Sequence, residues 1–344
     1  MHDAARTAEK LSALLDLGFE RVDIAPVTCD AVRIDRKSYR ITAGKPAMGT
    51  YVQVLALHRS RAVVEEAIGR AFEEMERLIR CLSRFDSGSS LTELNQAGYL
   101  RGAPPELAHL IERSLAYNAL SRNAFDISVG PLIDLFRNCR TADSRSLPAE
   151  AEIREALELV GSDKISLKGR TISLARSGMG ITLDGIAKGF IVDRMAEVLL
   201  SHKIGDFLIN AGGDIRAAGR KEGKRPWTVA VQDPAKHGAF PDVIELRDAA
   251  VATSGSYEIY FDSERAFHHI LSSETGRSPS GRASVSVVAP SALAADALAT
   301  GVFVMEPGMG IPFIDSLGGC ECLVLDTSGR KHGSSGWRSA APVS

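Results

Sequence analysis

Residues 284–305 read SVSVVAPSALAADALATGVFVM. The first half alternates small polar and β-branched residues, the pattern of a strand. Pro290 and Ser291 stop that strand and can cap a helix. The helix that follows carries Asp296 and Thr300 four residues apart, so both oxygens project from one face. Ala294, Ala295, Ala297 and Ala299 lie around them, small enough for another backbone or a ligand to come close. A carboxylate and a hydroxyl in such a clearing suit a hard cation such as Mg²⁺, which takes few protein oxygens and leaves its other positions to water and phosphates. Taken alone, the stretch is more simply an ordinary capped helix with Asp near its N-terminus, where the helix dipole favours negative charge.

The 344-residue chain is 44% hydrophobic and 24% charged, with a formal net charge of -2. That composition is globular, and the length suits one large domain or two intimate ones. The charge balance argues against a general nucleic-acid binder, which is normally basic. No apolar run approaches the roughly 20 residues of a transmembrane helix. The N-terminus lacks the basic, apolar and small-residue order of a secretory signal. These absences set the expectation of a cytoplasmic protein. Cys29, Cys81, Cys139, Cys320 and Cys322 are scattered, which suits a reduced compartment and forms no disulfide framework. Cys320 and Cys322 share one side of a strand and read as core or edge residues.

Upstream, residues 4–18 place Leu11, Leu14 and Leu15 at helical spacing, a helix packed on the body or an arm reaching a partner. Met48-Gly49 opens the alternating run TYVQVLAL, a strand entered through a glycine turn. Residues 63–82 form an amphipathic helix with Val64, Ala67, Ala71, Phe72, Met75, Ile79 and Leu82 inward. It ends in a polar loop with a fresh cap, where Phe85 suggests an anchor. A helix over 104–121 leads to Asn123-Ala124-Phe125-Asp126, where an aromatic beside an acid can stack a flat ring and hold its polar edge. A turn with a buried Phe fits the same residues. After a polar excursion at 138–147 and a short helix near 149–160, a hairpin turns at Lys168-Gly169.

GITLDGIAKGFIVD then suggests a strand, Ile181–Leu183, passing through Asp184-Gly185 into a helix with Lys188 in its first turn. Gly185 and Gly189 let backbone approach a ligand, and amides at a helix start suit a phosphate. The Walker A spacing is missing. Further on come a strand ending at Gly212-Gly213, a hydroxyl-rich turn at 253–257, and His268-His269, which in a strand point to opposite faces.

Taken in order, MGT, SRFD, FDxxVGPL, GIAKGxxVD, NAGGDI, ATSG-x-Y, HHI…TGR and ADALAT resemble the ApbE family, the FAD:protein FMN transferases, over about residues 40–335. The resemblance implies an α+β fold of the T-fold-like flavin transferase type, with mixed and antiparallel sheets packed by helices. It also implies an arm at 1–39, a transferase domain at 40–335 and a tail at 336–344. The implied activity is Mg²⁺-dependent transfer of FMN from FAD to a threonine or serine of an acceptor protein, releasing AMP. Asp296 and Thr300 would bind the metal together with the carbonyl of Gly185. Met48, Ala124, Phe125, Asp126 and Lys188 would line the FAD site, and His269 would assist phosphoryl transfer. Two positions depart from the family. Thr182 stands where an acid is usual, and Asp184, two residues further along the strand and so pointing the same way, could partly substitute in the FAD site. Ser272-Ser273 replaces Asp-Pro. Many members are exported or lipid-anchored. Two other readings share these residues: an FAD pyrophosphatase yielding FMN and AMP, and a non-catalytic FAD binder.

Overall fold

The computed structural model describes residues 28–35, 38–141, 147–222, 225–232, 234, 240–257 and 267–340. The sequence-predicted helix at 4–18 lies outside them. Nine strands form one sheet: β1 Thr28–Arg33, β2 Tyr39–Ala47, β3 Thr50–His58, β4 Asp206–Ala211, β5 Asp214–Ala218, β6 Ala249–Gly255, β7 Arg282–Ala289, β8 Glu321–Asp326 and β9 Lys331–Gly333. Their order across the sheet is their order along the chain, and every neighbouring pair is antiparallel. The sheet is therefore a meander, and the helices and smaller strands are inserted between its adjacent strands.

The helices are α1 Arg61–Leu82, α2 Ser90–Ala97, α3 Pro105–Leu120, α4 Gly130–Thr141, α5 Glu150–Glu158, α6 Ala187–Ser201, α7 Ala292–Val304 and α8 Gly310–Asp315. Ser60 caps α1, its hydroxyl accepting the amide of Val63 at 3.5 Å. The inward face of α1 (Val64, Ala67, Ile68, Ala71, Phe72, Met75, Leu78 and Leu82) is buried. It joins Ile41, Val52, Val54, Phe207 and Ile209 of the sheet and Ile191, Met195, Ala295 and Val302 of α6 and α7 in one core. Each large apolar side chain so buried contributes about 1.5–3 kcal/mol. On the other sheet face, the hairpin Trp227–Ala230 with Val243–Leu246 packs on Leu57, Ile215, Ala217 and Val251.

Several boundaries differ from the sequence reading. β1 pairs with β2 along its whole length, so the domain begins before residue 40. Its burial is exposed at every position but Ala31, so no alternation marks it as a strand. The tail is tied down too: Trp337 Nε1 and Ser339 Oγ donate to Asp242 Oδ2 at 2.9 and 2.8 Å. Residues 181–183 are not a strand. They carry no ladder, and the chain turns directly after them at 184–186, with the Ile186 and Ala187 amides donating to the carbonyl of Leu183. The hairpin after α5 turns at Gly169-Arg170, one residue later than expected.

Candidate active site at one end of the meander

Two tight hairpin tips share one end of the sheet. Ala47 pairs with Thr50 around Met48-Gly49, and Ala211 pairs with Asp214 around Gly212-Gly213. All four tip residues have positive φ (52°, 71°, 66° and 106°), the conformation two-residue hairpins favour. Three are glycines and Met48 is the costlier exception. The tips are close: a Cβ on Gly212 would lie 2.3 Å from Thr50 Oγ1. β6 ends and β7 begins at this same end, so the connection carrying the two histidines emerges there.

α7 supplies the expected pair. Ser291 caps it by accepting the Ala294 amide at 3.1 Å. Asp296, only 5% exposed, accepts the Gly189 amide of α6 through Oδ2 at 3.0 Å. One turn later, Thr300 Oγ1 lies 3.2 Å from Ser254 Oγ on β6. Gly185 sits directly against this hydroxyl: a Cβ there would come within 2.8 Å of Thr300 Oγ1. Lys188 in the first turn of α6 faces Asp214, Nζ to Oδ2 3.5 Å, and that carboxylate is 2% exposed. Asp296, Thr300, Gly185 and Lys188 are thus brought together where α6 and α7 run antiparallel.

Carboxylate, hydroxyl and peptide carbonyl are all hard oxygen donors, and the missing side chain of Gly185 lets its backbone pack directly against the Thr300 hydroxyl. The residues fit a small divalent cation on those grounds. Among the described residues there is no cluster of three or more His, Cys, Asp or Glu suited to a metal.

Phe125 does not offer a ring for stacking. It is 3% exposed, edge-on to Tyr117 at 6.3 Å, and its Cβ would meet one placed on Gly301 at 3.4 Å. The buried-turn reading holds. Ala124 beside it is partly exposed. Asp126 spends Oδ1 on the Ser128 amide (2.8 Å), the Ser128 hydroxyl (2.6 Å) and the Ser162 hydroxyl (2.8 Å). Its Oδ2 accepts the Ser162 amide at 3.3 Å. It therefore fastens the start of a 3₁₀ turn to the loop at 161–162.

Asp184 does not replace Thr182. Alternation holds only in a strand, and here residues 181–183 are not one and Asp184 begins a turn. Thr182 is buried with its amide on Ile127 O at 2.8 Å, whereas Asp184 is exposed and pairs with Arg84 at 3.8 Å. Phe85 is 53% exposed, not an anchor, and lies between the guanidinium groups of Arg84 (5.1 Å) and Arg137 (5.0 Å). Burial and the neighbouring Arg84 charge lower the Arg137 pKa.

The histidines divide as expected, although outside a strand. His268 is buried edge-on to Phe303 of α7 at 5.4 Å. Its Nδ1 accepts the Ile270 amide at 3.3 Å, so Nε2, 3.2 Å from Pro279 O, carries the proton. His269 is partly exposed, on a segment that His268 anchors to α7. Ser272 keeps a turn-closing role: its hydroxyl accepts the Glu274 and Thr275 amides at 3.2 and 3.3 Å. Ser273 Oγ donates to Asn123 O at 3.0 Å, joining this loop to the Phe125 turn.

Three residues of this region escaped the sequence reading as individuals: Asp193, Asp214 and Arg282. Asp193 and Asp214 stand inside motifs, GIAKGxxVD and NAGGDI, which was the available signal. Arg282 lies in none of them.

A family model described as the ApbE family matches residues 48–324. The FAD:protein FMN transferase of Treponema pallidum is 31% identical over 301 residues, 81% of this chain and 82% of that protein. The protein of the same name from Vibrio cholerae serotype O1 is 29% identical over 289 residues, 80% of this chain and 85% of its own. The crystal structure of the ApbE protein of Thermotoga maritima superposes with a TM-score of 0.78 at 31% identity, covering 86% of this chain and 97% of that one.

Proposed function

The chain belongs to the ApbE family, and from that premise we propose that it is an FAD:protein FMN transferase. The finer reading is Mg²⁺-dependent transfer of FMN to a threonine or serine hydroxyl of an acceptor protein, with AMP released. The observation that carries it is the antiparallel seam of α6 and α7, where Asp296, Thr300, Gly185 and Lys188 meet.

Asp296, Thr300 and the carbonyl of Gly185 would hold the cation. Bound there, it would neutralise charge on the pyrophosphate and on the departing AMP. Lys188, steadied by Asp214, and the first amides of α6 present positive charge to the phosphates. The acceptor oxygen forms a bond to the FMN phosphorus while the bond from that phosphorus to the bridging oxygen breaks. AMP leaves with the electron pair, and His269 takes the hydroxyl proton. His268, locked through both ring nitrogens, holds the backbone from which His269 projects.

Purified protein incubated with FAD and Mg²⁺, with and without a threonine-bearing acceptor peptide, tests the reading. AMP release and peptide mass are followed, with EDTA as control. A metal-dependent gain of one FMN residue on the peptide supports transfer. AMP without a modified peptide favours hydrolysis, and tight FAD binding without AMP favours a non-catalytic binder.

A further inference from the structure

α7 carries no acid in its first turn and no base in its last. Both terminal charges come from other elements. Asp193 of α6 accepts the Ala292 amide on Oδ1 and the Leu293 amide on Oδ2, each at 2.9 Å. With Ser291 on Ala294, the three amides that begin the helix are satisfied. Arg282, buried at the start of β7, donates from Nη1 to the carbonyl of Phe303 at 2.9 Å, in the last turn. A carboxylate thus faces the positive end of the helix dipole and a guanidinium the negative end. Arg216 completes the N-terminal brace, with Nε 3.9 Å from Asp193 and a hydrogen bond to Pro290 O.

The exchange between the helices is reciprocal. α6 gives a carboxylate to the amides of α7, and α7 returns the Asp296 carboxylate to the Gly189 amide of α6. Gly189 makes this possible, since a Cβ there would be 2.2 Å from Ala292 O. Asp193 spends both carboxylate oxygens on the start of α7. What it fixes is how far α7 sits along its own axis, and hence where Asp296 and Thr300 face Gly185.

We infer that Asp193 and Arg282 are positioning residues that set the axial register of α7 and thereby the affinity of the Asp296–Thr300–Gly185 site for a divalent cation. The inference rests on the metal reading above. A purely structural role would cost stability and leave affinity alone.

Mn²⁺ binding to the purified full chain without FAD, read by electron paramagnetic resonance, separates the two. The variants are Asp193→Ala, Asp193→Asn, Arg282→Met and Asp296→Ala, with Leu78→Ala in α1 as a destabilised control remote from the site. Asp193→Ala is expected to weaken Mn²⁺ binding about 10–100-fold, as loss of a ligand-orienting partner does. Asp193→Asn, which keeps one acceptor oxygen, should fall between it and the wild type. Arg282→Met should shift affinity in the same direction, and Leu78→Ala should lower the melting temperature with Mn²⁺ affinity intact. If Asp193→Ala does not fold, Asp193→Asn decides. Wild-type affinity in the folded Asp193 variants overturns the inference. Wild-type protein without an Asp296-dependent Mn²⁺ site overturns the metal reading and the inference with it, a distinct result.

Discussion

Gly189→Ala adds one methyl group at the crossing of α6 and α7, and the structure gives its cost. The new Cβ would lie 2.2 Å from Ala292 O, 2.6 Å from Ala292 C and 2.8 Å from Leu293 N. All three are backbone atoms, so no side chain can swing aside. Reaching ordinary van der Waals contact requires the first turn of α7 to retreat by about 1 Å. Overpacking of this kind costs about 1–3 kcal/mol, and alanine in a helix returns about 1 kcal/mol. The net loss of stability is therefore modest. The loss of function is not, because misplacing reacting groups by about 1 Å can cost on the order of 10²-fold in rate. Gly69→Ala is the matched control: Gly69 lies within α1, and a Cβ there meets nothing within 4 Å. That variant should gain about 1 kcal/mol from helix propensity and keep its activity. AMP release from FAD and thermal melting of both variants are the assay. If Gly189→Ala matches Gly69→Ala in rate and melting temperature, the seam does not position the site.

His269→Ala should slow FMN transfer by about 10²–10⁴-fold if the imidazole takes the proton, whereas His268→Ala should chiefly lower the melting temperature. The opposite pattern in steady-state rates and melts would exchange their roles. Glu74 bridges Arg77 of α1 and Arg194 of α6, and those hydrogen bonds hold its carboxyl below 4.5. The folded state then binds protons less readily than the unfolded one. The stabilisation is present above about pH 4.5 and is lost as pH falls through the lower folded value. The stability gap between wild type and Glu74→Gln should accordingly narrow in urea titrations as pH falls below about 4.5 and through the lowered folded value, and a constant gap would count against the bridge. Burial pushes the Cys322 thiol up to about 12, while Cys29 is exposed. A thiol reagent followed by peptide mapping should label Cys29 in the native protein and Cys322 only after denaturation; early labelling of Cys322 would contradict its burial.

What the sequence disclosed followed from how local the interaction was. Asp296 and Thr300 lie one turn apart on one helix, so periodicity alone pairs them, and Ser291 announces the cap in the residue before the helix. Asp193 and Arg282 act on α7 from α6 and β7, and no spacing within α7 points to either. Asp184 was misplaced because strand alternation was carried from residues 181–183, which are not a strand, into a turn that begins at Asp184. β1 was missed because an edge strand exposed on both sides has no alternation to read. Phe125 was legible as a choice between stacking and burial, and only tertiary packing against Tyr117 and Gly301 decides it.

The strand order carries a consequence for how the chain reaches this state. Leu57 of β3 lies opposite Asp206 of β4, yet residues 59–205 are threaded between them. β1–β3 on one side and β4–β5 on the other are stitched by short turns and can close on microsecond timescales. The ladder joining them must wait for the longest loop in the sheet to be drawn in. Loop-closure entropy grows only logarithmically, about 0.6 kcal/mol per doubling of length, so the delay is kinetic more than energetic. Refolding is expected to be paced at this seam, where β1–β3 and the β4–β5 hairpin must meet across the insertion of residues 59–205.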